Sequence, residues 1–111
     1  VHVRLLDFHN SDDRGALYDL RLRILRPNRP ASAAVFDGDE ATTTFHIGAF
    51  DMSGRCVGIA TCLENQGLQL RGMAVDTGVQ GTGVGRAVLE EVHRVARERN
   101  FIEIWCNARV S

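Results

Sequence analysis

The sequence predicts a single α+β domain: a mixed, mostly antiparallel sheet with helices packed on both faces. Three observations predict it. The apolar period runs helical around Leu17, Leu20 and Ile24, alternates from Thr44 to Val75, and turns helical again after Val84. Short Gly- and Asn-containing turns divide the alternating part into a meander. The apolar run 101–107 comes directly out of a helix, and a strand reached through a helix pairs parallel with the strand before it.

With 111 residues, 44% hydrophobic and 24% charged, residues 1–111 make one domain that can bury a core without disulfides or metal. A formal net charge of −1 supplies no basic field for nucleic acid and no polybasic tether for a membrane. All 13 basic residues are arginine, which reads as coding bias. No apolar run approaches the roughly 18 residues of a membrane span and no leader pattern opens the chain, so a cytoplasmic location is expected. Cys56, Cys62 and Cys106 lack the spacing of a zinc or redox motif and are read as buried small hydrophobes.

In chain order, residues 1–8 alternate as a strand, and Asn10-Ser11-Asp12-Asp13 supplies capping side chains for a helix that Pro27 and Pro30 stop. Residues 28–42 read as an irregular loop with a short helical turn, its Asp37, Asp39 and Glu40 as solvated acids in preference to a face for a cationic acceptor. Residues 44–50 and 56–64 form a hairpin around the turn 51–55, and 68–75 is the third strand of the meander. Gly72 inside that strand marks a bulge or a close backbone approach. Val84, Val88, Val92 and Val95 then stripe a helix with Arg86–Glu90, Glu90–Arg94 and Arg94–Glu98 on its wet side, and Asn100 stops it.

The turn Gln80-Gly81-Thr82-Gly83-Val84-Gly85-Arg86 carries the chemistry. Three alternating glycines expose backbone N–H groups where a helix N-terminus adds a positive dipole, which suits an anion. A Walker A loop needs a lysine after its glycines, and a Rossmann fingerprint needs GxGxxG immediately after the strand; both fail here. Gln80-x-x-Gly83-x-Gly85 does fit another pattern. With the flanks Leu70-Arg71-Gly72-Met73-Ala74-Val75 and Ile104-Trp105-Cys106-Asn107-Ala108-Arg109, the whole chain resembles the GNAT family of N-acetyltransferases.

The resemblance implies a GNAT-like fold whose fourth and fifth strands splay apart to admit acetyl-CoA as co-substrate, with no metal. It places the pantetheine against the backbone of Met73, Ala74 and Val75 and beside Asn107. It places the pyrophosphate on Gly81, Thr82, Gly83, Val84, Gly85 and Arg86, with Gln80 at the head of the loop. The implied reaction is direct attack of a primary amine, on a small molecule or a peptide, upon the thioester in a ternary complex. Glu64 is the preferred general base, with Glu40 and His46 behind it. The family's C-terminal helix and last strands, including a tyrosine acid, have no counterpart in this sequence, whose sole tyrosine is Tyr18. Two expectations follow: a homodimer through the exposed edge strand 101–107, and, as the rival to an active transferase, a silent acyl-CoA-binding or interaction module.

Overall fold

The computed structural model describes residues 1–106, so Asn107 lies outside the described residues. Strand β1 (His2–Leu6) leads into helix α1 (Ser11–Leu20), which opens as its sequence predicts. The Asn10 side chain accepts the N–H groups of Asp12 and Asp13 at 2.9 and 3.0 Å. Asp13 forks onto Arg4 of β1 at 2.9 and 3.0 Å, fastening the helix to the sheet. That guanidinium holds the Asp13 carboxyl below the usual carboxylate range.

The helix does not run unchanged to Pro27. It widens into a π-helical turn, Arg21–Leu25, closed by Arg26 N–H donating to the Arg21 carbonyl at 2.9 Å. The inserted residue changes the phase of the apolar stripe, and Arg21 is fully buried. A short 3₁₀ turn, Ala31–Ala34, interrupts the loop that follows.

The meander is β2 (Phe45–Phe50), β3 (Cys56–Glu64) and β4 (Leu68–Val75); helix α2 (Val84–Glu98) and strand β5 (Ile104–Trp105) complete the sheet. Its order is β1-β2-β3-β4-β5, antiparallel except for the parallel β4–β5 pair. One face packs Phe45, Ile47, Ala49, Ala60, Cys62 and Leu68 against the valine stripe of α2. The other packs Leu6, Ile59 and Ala74 against Leu17 and Leu20 of α1. Gly58 lets α2 come close: a Cβ there would sit 2.9 Å from Val84 Cγ1.

Three expectations change in detail. The last strand is two residues long rather than 101–107, because Phe101 N–H returns to the Ala96 carbonyl at 2.9 Å and its ring joins the core under α2. Cys56 and Cys62 are buried, and burial pushes the Cys62 thiol up to about 12, but Cys106 just beyond the edge strand is exposed. On α2, Arg94 forks onto Glu91 and pairs with Glu98, leaving out the Glu90–Arg94 step.

Candidate functional site

The bulge lies where Gly72 predicts it. Ile59 pairs with Ala74 and Thr61 with Arg71, so Gly72 and Met73 together oppose Ala60. Gly72 has φ +62°, and a Cβ on it would lie 2.5 Å from Phe36 Cε2. Among the described residues β5 pairs with β4 at Leu68 with Ile104 and at Gln69 with Trp105, and β4 from Leu70 onward has no partner on that side. Trp105 Nε1 donates to the Asn65 carbonyl at 2.9 Å and pins β5 to the base of the β3–β4 turn.

Hydrogen-bond alternation decides which groups face the opening. Asp76 N–H donates to the Val57 carbonyl at 2.9 Å, and Ala74 is in register with Ile59, so Ala74's backbone groups turn toward β3. Those of Val75 turn away from β3, and Met73 lies in the bulge, where the alternation is interrupted. Asp76 then locks the strand end. Its carboxylate accepts Gly78 N–H at 3.0 Å, Arg23 Nη1 at 3.1 Å and Arg55 Nη2 at 3.2 Å, and the Gly78 and Arg23 bonds hold it below the usual range.

A 3₁₀ turn, Thr77–Val79, leads into the glycines. Gln80 Nε2 donates back to the Val75 carbonyl at 3.2 Å. Thr82 closes on the Val79 carbonyl through both its N–H and its hydroxyl. Gly81 and Gly83 take φ +83° and +92°, with no described atom beyond their chain neighbours within 4 Å of where a Cβ would stand. Their requirement is therefore conformational, and the space they leave is open.

Gly83 caps α2 without any side-chain bond, and the first helical bond is Ala87 N–H to the Gly83 carbonyl at 3.0 Å. The N–H groups of Val84, Gly85 and Arg86 consequently have no intrahelical acceptor. Val84's side chain is buried in the core, so only its backbone is available. Gly85 faces β4; its Cβ would stand 3.5 Å from Met73 Cε and Val75 Cγ2. Arg86 is exposed and pairs with Glu90 at 3.3 Å. Among the described residues, helix N–H groups without an acceptor, positive-φ glycines and an unpaired strand edge meet here. Such a place takes an extended ligand with an anionic end.

The candidate bases are elsewhere. Glu64 is exposed and in register with Leu68, four residues along β3 from Ala60. At about 3.3 Å per residue it stands roughly 13 Å from the bulge. Glu40 is exposed as well. His46 is buried at 2% exposure with Phe8 stacked 5.0 Å above it.

Around His46 lies a network the sequence did not announce. Arg21 donates through Nη2 to Thr61 Oγ1 at 2.7 Å and forks onto Asp39 at 2.7 and 2.9 Å. The Asp39 carbonyl can only accept, so the neutral ring of His46 carries its proton on Nε2, 3.1 Å away, and Nδ1 accepts the Thr61 hydroxyl proton at 2.8 Å. Both ring nitrogens are engaged. Asp39 is thus a buried partner rather than the solvated acid expected from its loop.

Burial pushes the His46 pKa below its ordinary 6.5. The unfolded chain takes up a proton near that value while the folded chain stays neutral to lower pH. Stability therefore falls as pH drops below about 6.5. Urea unfolding between about pH 7.5 and 5.5 should show this slope, and H46Q should flatten it; an unchanged slope in the variant would assign the proton uptake to other groups.

The comparisons agree with this geometry. Residues 6–111 match the model of the Acetyltransferase (GNAT) family. The uncharacterized N-acetyltransferase YitI of Bacillus subtilis (strain 168) is 30% identical, over 83% of this chain and 66% of its own length. The fold is shared with an aminoglycoside 6'-N-acetyltransferase solved with coenzyme A, at TM-score 0.79 and 18% identity, over 96% of this chain and 61% of that one. It is shared equally with the ribosomal-protein-S18-alanine N-acetyltransferase from Escherichia coli, at TM-score 0.79 and 21% identity, over 99% and 68%. The chain spans just under two thirds of the length of the first two. A family match from the end of β1 onward, on a sheet of this order, means that this chain belongs to the acetyltransferase (GNAT) family.

Proposed function

We propose that this chain is an acetyl-CoA-dependent N-acetyltransferase acting on a primary amine in a ternary complex. One observation carries the proposal: β4, which beyond Gln69 meets no parallel strand among the described residues, leads through the glycine turn into a helix N-terminus, with no described atom beyond their chain neighbours near a Cβ at Gly81 or Gly83. Backbone groups of Met73 and Val75 would pair with the pantetheine amides, with Ala74 between them holding the strand to β3. N–H groups from Gly81 to Arg86 would hold the pyrophosphate, Gln80 would fix the loop to the Val75 carbonyl, and Asn107 would complete the pantetheine contacts. Each such bond to a phosphate contributes about 1.5–3 kcal/mol.

Bound acetyl-CoA supplies a thioester: its carbonyl carbon accepts the amine lone pair, the C–N bond forms, the C–S bond breaks, CoA leaves as thiolate and the nitrogen loses a proton. The protein's part is positioning, polarisation of the carbonyl by an edge N–H, and proton removal. Glu64, at its distance from the bulge, would act through ordered water. The second reading, a binding or interaction module without turnover, draws on that distance and on the engagement of both His46 nitrogens.

Acetyl-CoA at a hundred times its Kd should stabilise the protein by about 2.7 kcal/mol, read as a rise in Tm of roughly 10 °C. No shift would end both readings; a shift without thiol release over an amine panel would leave the second. No helix among the described residues is long and apolar enough to cross a membrane, and we place the protein in the cytoplasm. The reading includes a homodimer through the 101–107 edge, where Ile102 is 98% exposed. Sedimentation equilibrium at a single monomer mass would remove the dimer.

A further inference from the structure

Beside the open edge lies a cleft of about 480 Å³, between the π-helical turn with its Pro27–Arg29 continuation and the start of the turn after β4. Arg23, Arg26 and Arg29 line it with Ile24, Pro27 and Thr77. Thr77 sets it at the end of β4. Arg26 reaches toward the bulge, its guanidinium carbon 5.4 Å from the centre of the Phe36 ring that blocks a side chain at Gly72. The cleft thus flanks the strand edge assigned to acetyl-CoA.

Its charge is one-sided. Arg23 is committed to Asp19 and Asp76. Arg26 and Arg29 pair with no carboxylate among the described residues, and no acid lines the cleft. Arg71 adds a further cation on the same Phe36 ring, 5.7 Å from its centre. Of the acids of the neighbouring loop, Asp39 is held by Arg21, Glu40 lines a separate cleft with Asp7 and His46, and Asp37 is exposed and does not line this one. In a chain of net charge −1, three arginines around one apolar-walled cleft are a local arrangement, not a general basic field.

We infer that the amine acceptor is a small molecule bearing an anionic group, carboxylate or phosphate, which Arg26 and Arg29 hold while the aliphatic body lies on Ile24 and Pro27. This rests on the acetyl-transfer reading and deepens it. Guanidinium forks match such oxygens in plane and in charge, whereas a polycationic acceptor would be repelled from the same walls. The aminoglycoside acetyltransferases that share this fold therefore do not indicate the acceptor here.

The test uses the purified chain in two steps. A melt with and without acetyl-CoA comes first, and absence of a shift overturns this inference together with the reading beneath it. Thiol release is then measured with amino acids, their carboxamides, O-phosphoethanolamine and an aminoglycoside. Acids or phosphates should exceed their neutral matches in kcat/KM by about tenfold or more, the worth of one charge-assisted bond. In R26Q/R29Q, and to a lesser degree in R29Q at its exposed position, KM for the anionic acceptor should rise about tenfold while KM for acetyl-CoA holds. The carboxylate and phosphate arms identify which anion is meant. Equal rates for acid and amide, preference for the aminoglycoside, or no turnover of any amine by a protein that binds acetyl-CoA would overturn the inference. So would a variant that loses acetyl-CoA affinity, since the arginines would then serve the cofactor's phosphates.

Discussion

Replacing Asp39 with alanine should destabilise the protein by about 3–5 kcal/mol, because it leaves a buried guanidinium without its counter-charge. Arg21 has no exposed surface and the Asp39 side chain only 3%. Around the fork, Arg21 also donates to the Ala34 carbonyl at 2.8 Å and to Thr61, and Asp39 accepts Phe36 N–H at 2.9 Å. The Arg21 guanidinium stacks 3.8 Å from the Phe36 ring, and its Nε has no partner among the described residues. Losing Asp39 therefore loosens Phe36, and with it the wall against which the Gly72 bulge is shaped. The urea midpoint should fall accordingly, while R21M/D39L, with no charge left inside, should lose far less. A loss below about 1 kcal/mol in D39A would mean that water reaches the guanidinium and that the pair is not what holds this corner.

What could be read from the sequence divides along physical lines. Periodicity located the hairpin strands because β3 has one face on α1 and one on α2, and the alternation of β2 puts Phe45, Ile47 and Ala49 under α2. The glycine turn was legible because it depends on neighbours close in sequence, and the parallel direction of the last strand because the helix before it carries the chain back to the start of β4. Arg21 and Asp39 were not. An acid in an acidic loop looks solvated until the π turn, which shifts the phase of the first helix, turns an arginine inward 18 residues earlier. Glu64 shows the opposite difficulty. It sits in the expected strand, and only the register with Leu68, at the far end of β4 from the glycine turn, reveals its distance from the bulge.

Gly83→Val should raise the Kd for acetyl-CoA by about 100-fold or more, with a smaller cost in stability. The position takes φ +92°, where an L side chain costs about 1–2 kcal/mol, but no described atom beyond its chain neighbours lies within 4 Å of the new Cβ. The fold therefore has room for the side chain and pays only in backbone strain. The ligand does not have that room: a branched group at the cap of α2 would stand over the free N–H groups of Val84, Gly85 and Arg86. Losing two phosphate bonds at about 1.5–3 kcal/mol each accounts for the affinity change. Gly85→Ala is the informative contrast. Its Cβ would make ordinary 3.5 Å contacts with Met73 and Val75 inside a helical turn, so stability should rise by up to about 1 kcal/mol. Calorimetric titration of both variants, with melts in parallel, separates strain from occlusion. Wild-type affinity in Gly83→Val would remove the pyrophosphate from this turn, whereas weak binding by a well-folded variant would place it against the α2 N-terminus.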